Sequence, residues 1–168
     1  MESFGTKQIA ASGIMAALVC VATMFFVVPI PATEGYFNVG DAMVMVAAIT
    51  FGPIVGAFAG GVGAGLADVL SPYSYYAPYT FCIKGIEGFI AGWILTRGRR
   101  PSLMKIVLAW LVGGLEMVAG YLVAEYFFLG YGAAAFAEVP FNFVQMAVAG
   151  LVGVPISLAL RRIRIGVV

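Results

Sequence analysis

Apolar runs about as long as a bilayer is thick recur along this chain, and proline, glycine and charged residues punctuate them. Residues 8–28 form the first run, stopped by Pro29 and Pro31. A more polar stretch, 32–41, leads into a short apolar segment that reaches Phe51, where Gly52-Pro53 breaks it. A glycine- and alanine-rich run follows from Ile54 to about Leu70, then a tyrosine- and proline-rich loop over 71–78, and a fourth run over 79–96. The basic turn Arg97-Gly-Arg-Arg-Pro101 closes that run. The fifth extends from Leu103 to Leu129, a connector covers 130–138, and the sixth extends from Val139 to Leu160.

The segment 42–51 alone would reach only about 15 Å at 1.5 Å per residue, so 41–70 reads either as two helices or as one kinked span. Charge decides. Lys7, then Arg97, Arg99, Arg100 and Lys105, then Arg161, Arg162 and Arg164 all flank spans. The rule that basic flanks stay in the cytoplasm puts all three groups on one side only if the count is even. Six spans result, with both termini cytoplasmic and with Glu34 and Glu138 in outer loops beside Tyr73, Tyr75, Tyr76 and Tyr79, a candidate aromatic belt.

Composition agrees: 62% of the 168 residues are hydrophobic and 10% charged, against about a quarter charged in a globular domain. No linker divides the chain, so 1–168 reads as a single all-α integral-membrane domain. The near-neutral balance of nine basic and eight acidic residues excludes a nucleic-acid surface. With no histidine, and with Cys20 and Cys82 far apart, no metal site or cofactor is implied; both cysteines read as buried thiols. Lys7 before an apolar run also fits a signal peptide, but no convincing cleavage site precedes a soluble remainder, so the first run is expected to be retained.

Against this background the ionisable residues inside the runs stand out: Asp41, Asp68, Lys84, Glu87, Glu116 and Glu125. Each costs roughly 2.5–3.5 kcal/mol at a helix centre on insertion scales, so each needs a partner, a proton or a water-filled cavity. Lys84 lies one helical turn from Glu87, which a structural ion pair would explain. Two further stripes argue for a pocket: Gly113, Glu116 and Gly120 on the fifth run, and Asn142, Gln145, Ala149 and Gly153 on the sixth. Asp68, Asn38 and Asp41 fall near the outer ends and suit the mouth of that pocket, although Asn38 and Asp41 are also ordinary helix-capping types. Gly56, Gly60, Gly61 and Gly65 permit close helix approach, and the run from Gly60 to Gly65 lacks the Lys-Ser/Thr of a nucleotide loop. Ser12, Gly13, Ala16 and Ala17 give the first helix a similar face, for packing within the chain or for a partner helix. A pocket of Asp68, Lys84, Glu87 and Glu116 has excess acid, favouring a neutral polyol or an amine-bearing ligand over an anion.

The strings Tyr36-Phe-Asn-Val-Gly-Asp41, Phe51-Gly-Pro-Ile-Val-Gly56, Gly65-Leu-Ala-Asp68, Tyr76-Ala-Pro78 and Lys84-Gly-Ile-Glu-Gly88 resemble the S components of energy-coupling factor (ECF) vitamin transporters, most closely the riboflavin-type group. Val118-Ala-Gly-Tyr-Leu-Val-Ala-Glu125 and Val139-Pro-Phe-Asn-Phe-Val-Gln145 extend the resemblance over about residues 8–160. It implies a six-helix subunit, not an enzyme, that takes a small vitamin-like molecule from outside and docks on a transmembrane coupling subunit driven by two ATPases. It implies ligand contact or gating by Asn38, Asp41, Tyr76, Lys84, Glu87, Glu116, Asn142 and Gln145, with Asp68 at the mouth. Docking would fall to Ser12, Gly13, Ala16 and Ala17. Flavin, pyridoxine-like and thiamine-precursor-like ligands all stay open. The competing class is a stand-alone proton- or ion-coupled transporter or channel, since a lysine among carboxylates also suits a proton relay.

Overall fold

The computed structural model describes residues 5–96 and 101–162. Six helices run alternately up and down. They are α1 (Thr6–Phe25), α2 (Gly40–Phe51), α3 (Pro53–Val69), α4 (Ala77–Thr96), α5 (Leu103–Phe128) and α6, which starts at Val139 and ends at Arg162. Between α1 and α2 the chain forms an antiparallel hairpin of β1 (Val27–Ile30) and β2 (Gly35–Asn38), with Val27 opposite Asn38 and Ile30 opposite Gly35.

The hairpin corrects the expectation that the first helix runs to residue 28. That helix ends at Phe25, and Pro29, which cannot donate to a ladder, sits in a two-stranded ribbon where one side of each strand is free. The second helix is short, 12 residues or about 18 Å. At Gly52 (φ +91°) the chain reverses straight into Pro53, the N-terminal proline of α3. This resolves 41–70 into two helices. α1, α5 and α6 are long and apolar enough to cross a bilayer by length and composition alone. α4 is equally long but carries Lys84 and Glu87 on its inward face.

Glycine sets how closely the helices approach. A Cβ at Gly60 would lie 2.2 Å from the carbonyl oxygen of Lys84, and one at Gly88 2.2 Å from that of Gly56, so α3 and α4 touch backbone to backbone. Gly63 does the same against α1, where its Cβ would come within 2.5 Å of the Ala16 carbonyl oxygen. Three helices carry a π-helical stretch, Ala59–Ala64 in α3, Ala124–Phe128 in α5 and Ala149–Gly153 in α6. Each shifts the register of the inward face by one residue.

Large apolar side chains point outward, Leu108, Leu111 and Leu151 among them, as a lipid-facing surface requires. Cys20 is buried, but Cys82 is exposed on the outside of α4, so only one of the two thiols lies in the interior. Lys7, Lys105 and Arg161 belong to helix ends opposite the hairpin, which agrees with an even span count. Arg97, Arg99, Arg100 and Arg164 lie outside the described residues.

Candidate functional site

A chain of polar contacts runs from the hairpin into the bundle. Asn38 ends β2, and its side-chain oxygen accepts from the backbone N–H of Gly40 (2.9 Å), closing a tight turn at the entry to α2. Its own backbone N–H donates to Gln145 Oε1 of α6 (2.9 Å). Gln145 Nε2 donates to Asp41 Oδ2 (3.0 Å), and the other oxygen of Asp41 takes the Lys84 ammonium. Lys84 Nζ also lies 3.3 Å from Glu87 Oε2, and 5.3 Å from the centre of the Tyr121 ring. Lys84, Asp41 and Glu87 are each about 1% exposed. Such burial is tolerable only because the charges compensate one another across α2 and α4.

Asp41, in the first turn of α2, is thus tied into the buried network. It is the principal partner of Lys84, and Glu87, the expected partner, is second. Glu87 Oε1 remains without a hydrogen bond in this buried setting.

Next to this network, sharing Asn38 and Gln145 with it, lies a small chamber under the hairpin, bounded by Tyr36, Asn38, Tyr76, Thr80, Tyr121 and Asn142, with Glu138 also on its wall. Its volume is about 10 Å³, room for about one water. Three tyrosines supply flat walls. The Tyr36 ring stacks on Tyr73 at 4.3 Å, and its hydroxyl donates to Asp68 Oδ1. Burial, and then the Asp68 carboxylate, push the Tyr36 phenol above its ordinary range. Tyr121 donates to Thr80 Oγ1 at 3.1 Å. Asn142 is 4% exposed and its amide Nδ2 has no partner, so the wall presents an unused donor.

The expected residues fall into three groups. Asn38, Tyr76, Asn142 and Gln145 line the chamber; Asp41, Lys84 and Glu87 are off its wall, in the buried network that Gln145 joins; Asp68 stands behind Tyr36, fully buried at the end of α3. Glu116 is different. The buried face of α5 passes through Gly113, Met117, Tyr121 and Ala124, which leaves Glu116 half-buried at its rim. Its Oε2 is unpartnered all the same. Tyr76 is not part of an interfacial belt: it is 2% exposed, and only Tyr75 of that pair lies open, with its hydroxyl donating to the Glu34 carbonyl at 2.6 Å.

Thr80, Tyr121 and Glu138 were missed by sequence reasoning. Thr80 lies one turn before Lys84, and Tyr121 one turn after Met117, so helical spacing from the right starting residue would have found both. Glu138 closes a connector, and nothing in the sequence placed it inside. On α1 the small-residue face divides: Ser12 and Ala16 are buried, Ala16 with its carbonyl against Gly63 of α3, whereas Gly13 and Ala17 point outward.

Known proteins are similar to this chain in sequence and in fold. The sequence model of the "ECF-type riboflavin transporter, S component" matches residues 3–162. An uncharacterized protein encoded in the gap 3′ region of Pyrococcus woesei is 46% identical over 134 residues, 80% of this chain and 87% of that protein. The thiamine precursor transporter HmpT of Lactococcus lactis subsp. cremoris (strain MG1363) is 31% identical over 149 residues, 88% of this chain and 84% of the relative. The fold matches that of a bacterial ECF transporter S component with a TM-score of 0.74, at 18% identity, over 94% of this chain and 96% of that one. The chain is therefore a multi-pass protein of the plasma membrane, a transport subunit and not an enzyme, and it belongs to the ECF-type riboflavin transporter S component family.

Proposed function

We propose that this S component captures an uncharged or amine-bearing vitamin or vitamin precursor in the chamber beneath the hairpin and passes it inward together with a transmembrane coupling subunit and two ATPases. The observation that carries the proposal is the chamber itself. A lipid-embedded bundle gains nothing from gathering Asn38, Tyr76, Asn142 and Gln145 around a space, and each such group costs free energy unless it is used. Charge restricts the ligand. Lys84 is already matched by Asp41 and Glu87, and the other ionisable groups nearby, Asp68, Glu125 and Glu138, are acidic. Among the described residues, an anionic ligand would meet no free cation there. Tyr36, Tyr76 and Tyr121 offer stacking faces for a flat ring.

A vitamin-sized molecule exceeds the closed chamber many times over, so entry requires the hairpin to lift and the tyrosines to part. The hairpin end faces outside and both termini the cytoplasm, following the basic flanks. Thermal-shift screening of the purified protein against riboflavin, thiamine, thiamine precursors and pyridoxine tests the ligand class. Stabilisation by one of these supports it, and stabilisation by carboxylate or phosphorylated compounds alone refutes it. Uptake in cells that collapses on ATP depletion yet survives an uncoupler supports ATP coupling, and the reverse pattern supports the ion-coupled class.

A further inference from the structure

Two side chains on the chamber wall have hydrogen-bonding capacity that the fold leaves unused, and they stand one helical turn apart. The backbone N–H of Asn142 donates to the carbonyl oxygen of Glu138 at 3.0 Å, so the chain is already wound between them and both side chains share the face that lines the chamber. Glu138 is 3% exposed and Asn142 4%. Asn142 Nδ2 has no partner. Glu138 accepts the hydroxyl of Thr33, in the turn between β1 and β2, on Oε2. A carboxylate offers about four acceptor positions on its two oxygens, so Thr33 leaves room there for further donors.

The surroundings of Glu138 are rich in acceptors and short of donors. A Cβ at Gly35 would lie 2.6 Å from Glu138 Oε2, 2.9 Å from Oε1 and 3.0 Å from the Tyr76 hydroxyl, so these three atoms converge beneath the turn. Tyr76 has a single proton, and two acceptors compete for it, the Thr33 carbonyl oxygen at 3.0 Å and Glu125 Oε1 at 3.3 Å. Glu125 is fully buried, and its Oε2 has no partner. The described cations are committed elsewhere. Lys84 is held by Asp41 and Glu87, and Lys7, Lys105 and Arg161 belong to helix ends opposite the hairpin.

A buried acceptor of this kind is costly until a donor reaches it, and a charge-assisted hydrogen bond is the strongest it can make. Asn142 needs the reverse, an acceptor for its N–H. A molecule that serves both carries a donor and an acceptor side by side on one edge. Tyr36, Tyr76 and Tyr121 on the same wall add flat faces for a ring. An imide edge fits badly, because it sets a carbonyl oxygen on each side of its N–H and turns one of them toward an acceptor. We propose that Glu138 and Asn142 form the recognition edge of the chamber and that its ligand is a flat heteroaromatic amine, whose amino group donates to Glu138 while the adjacent ring nitrogen accepts from Asn142 Nδ2. This rests on the chamber as the capture site and narrows the ligand class given above.

Isothermal titration calorimetry of the purified protein with three probes tests it. They are 4-amino-5-hydroxymethyl-2-methylpyrimidine, its 4-oxo counterpart in the N–H form, in which donor and acceptor on that edge are exchanged, and riboflavin, which has an imide edge. The amine should bind at least about tenfold more tightly than the oxo probe, because a site built to hydrogen-bond one pattern rejects its inverse. Glu138→Gln lets an amide N–H face the ligand, and Asn142→Asp puts an acceptor where the donor was; each should remove most of that preference. A packing defect weakens both pyrimidines alike, so their ratio reports recognition and not stability. Tighter binding of riboflavin or of the oxo probe than of the amine overturns the recognition edge while leaving the chamber as a capture site. An amine preference that survives in Glu138→Gln overturns it as well, and if that variant does not fold, a preference unchanged in Asn142→Asp does so equally. Failure of all three probes to bind overturns the capture reading together with the edge.

Discussion

Residues buried for structure and residues buried for binding should behave differently when removed, and Lys84 and Asn142 are proposed as one of each. Lys84 has two carboxylate partners, so Lys84→Met leaves Asp41 and Glu87 facing each other without a cation. Stripping one side of a buried ion pair costs about 3–5 kcal/mol. The expected outcome is a large fall in the thermal midpoint in detergent, with partial recovery in Lys84→Met/Asp41→Asn, where one of the two orphaned charges is gone. A midpoint unchanged in the single variant would mean that the pair contributes nothing net. Asn142 is the opposite case. Its Nδ2 has no protein partner, so Asn142→Leu breaks nothing on that side and removes a donor aimed at the chamber. Stability should hold, while affinity for whichever vitamin the screen identifies falls at least about tenfold, or 1.4 kcal/mol. Equal loss of both would make Asn142 a structural residue. The contrast was only partly legible beforehand. Lys84 and Glu87 announce themselves by their cost in lipid, but Asp41 follows Gly40 at a helix start, where an aspartate is ordinary, so its bond to Lys84 required the third dimension.

At the scale of helices, small residues were the most legible part of the sequence and large ones the least. The glycine stripe of α3 reads directly as close approach, and the backbone contacts of Gly56 with Gly88 and of Gly60 with Lys84 are that approach. The hairpin was hidden for a physical reason. Val27–Ile30 continues the apolar run of α1 without a break in hydrophobicity, and a four-residue strand is too short for alternation to separate it from a helix end. The π-helical stretches were hidden too, and one of them carries Glu125 onto the inward face that Glu116, the residue expected from simple 3.6-residue spacing, only skirts. A prediction belongs here. Gly60→Ala places a methyl group 2.2 Å from the Lys84 carbonyl oxygen, a backbone atom that cannot yield without moving α4. Gly13→Ala adds one where nothing lies within 4 Å. The first should abolish monodisperse purification or lower the thermal midpoint sharply, and the second should leave both unchanged or slightly improved, since alanine favours helix by about 1 kcal/mol over glycine. Equal tolerance of the two would show that the α3–α4 contact is not tight.

For the whole molecule the open question is where a coupling subunit would sit, and the division of the α1 face narrows it. In lipid, helices associate through van der Waals contact, and only small side chains allow backbones near enough for it. Ser12 and Ala16 have already spent their smallness inside the chain: both are buried, and the Ala16 carbonyl faces Gly63 of α3. Gly13 and Ala17 remain on the outer surface among Ile14, Leu18 and Val21, which are 62%, 45% and 63% exposed. A shallow track of small residues between larger apolar ones is a place where a second helix can come close without displacing anything in this protein. Ala17→Trp should therefore fold normally, bind ligand with unchanged affinity, and lose assembly with the coupling subunit along with ATP-driven uptake. Ala16→Trp should fail earlier, because an indole at that position is driven into α3, and its thermal midpoint should fall before any partner is present. Measuring thermal midpoint, ligand affinity and uptake in both variants separates the cases. Full uptake in Ala17→Trp would remove α1 from the docking surface, and loss of ligand binding in the same variant would mean that the outer face of α1 supports the chamber instead.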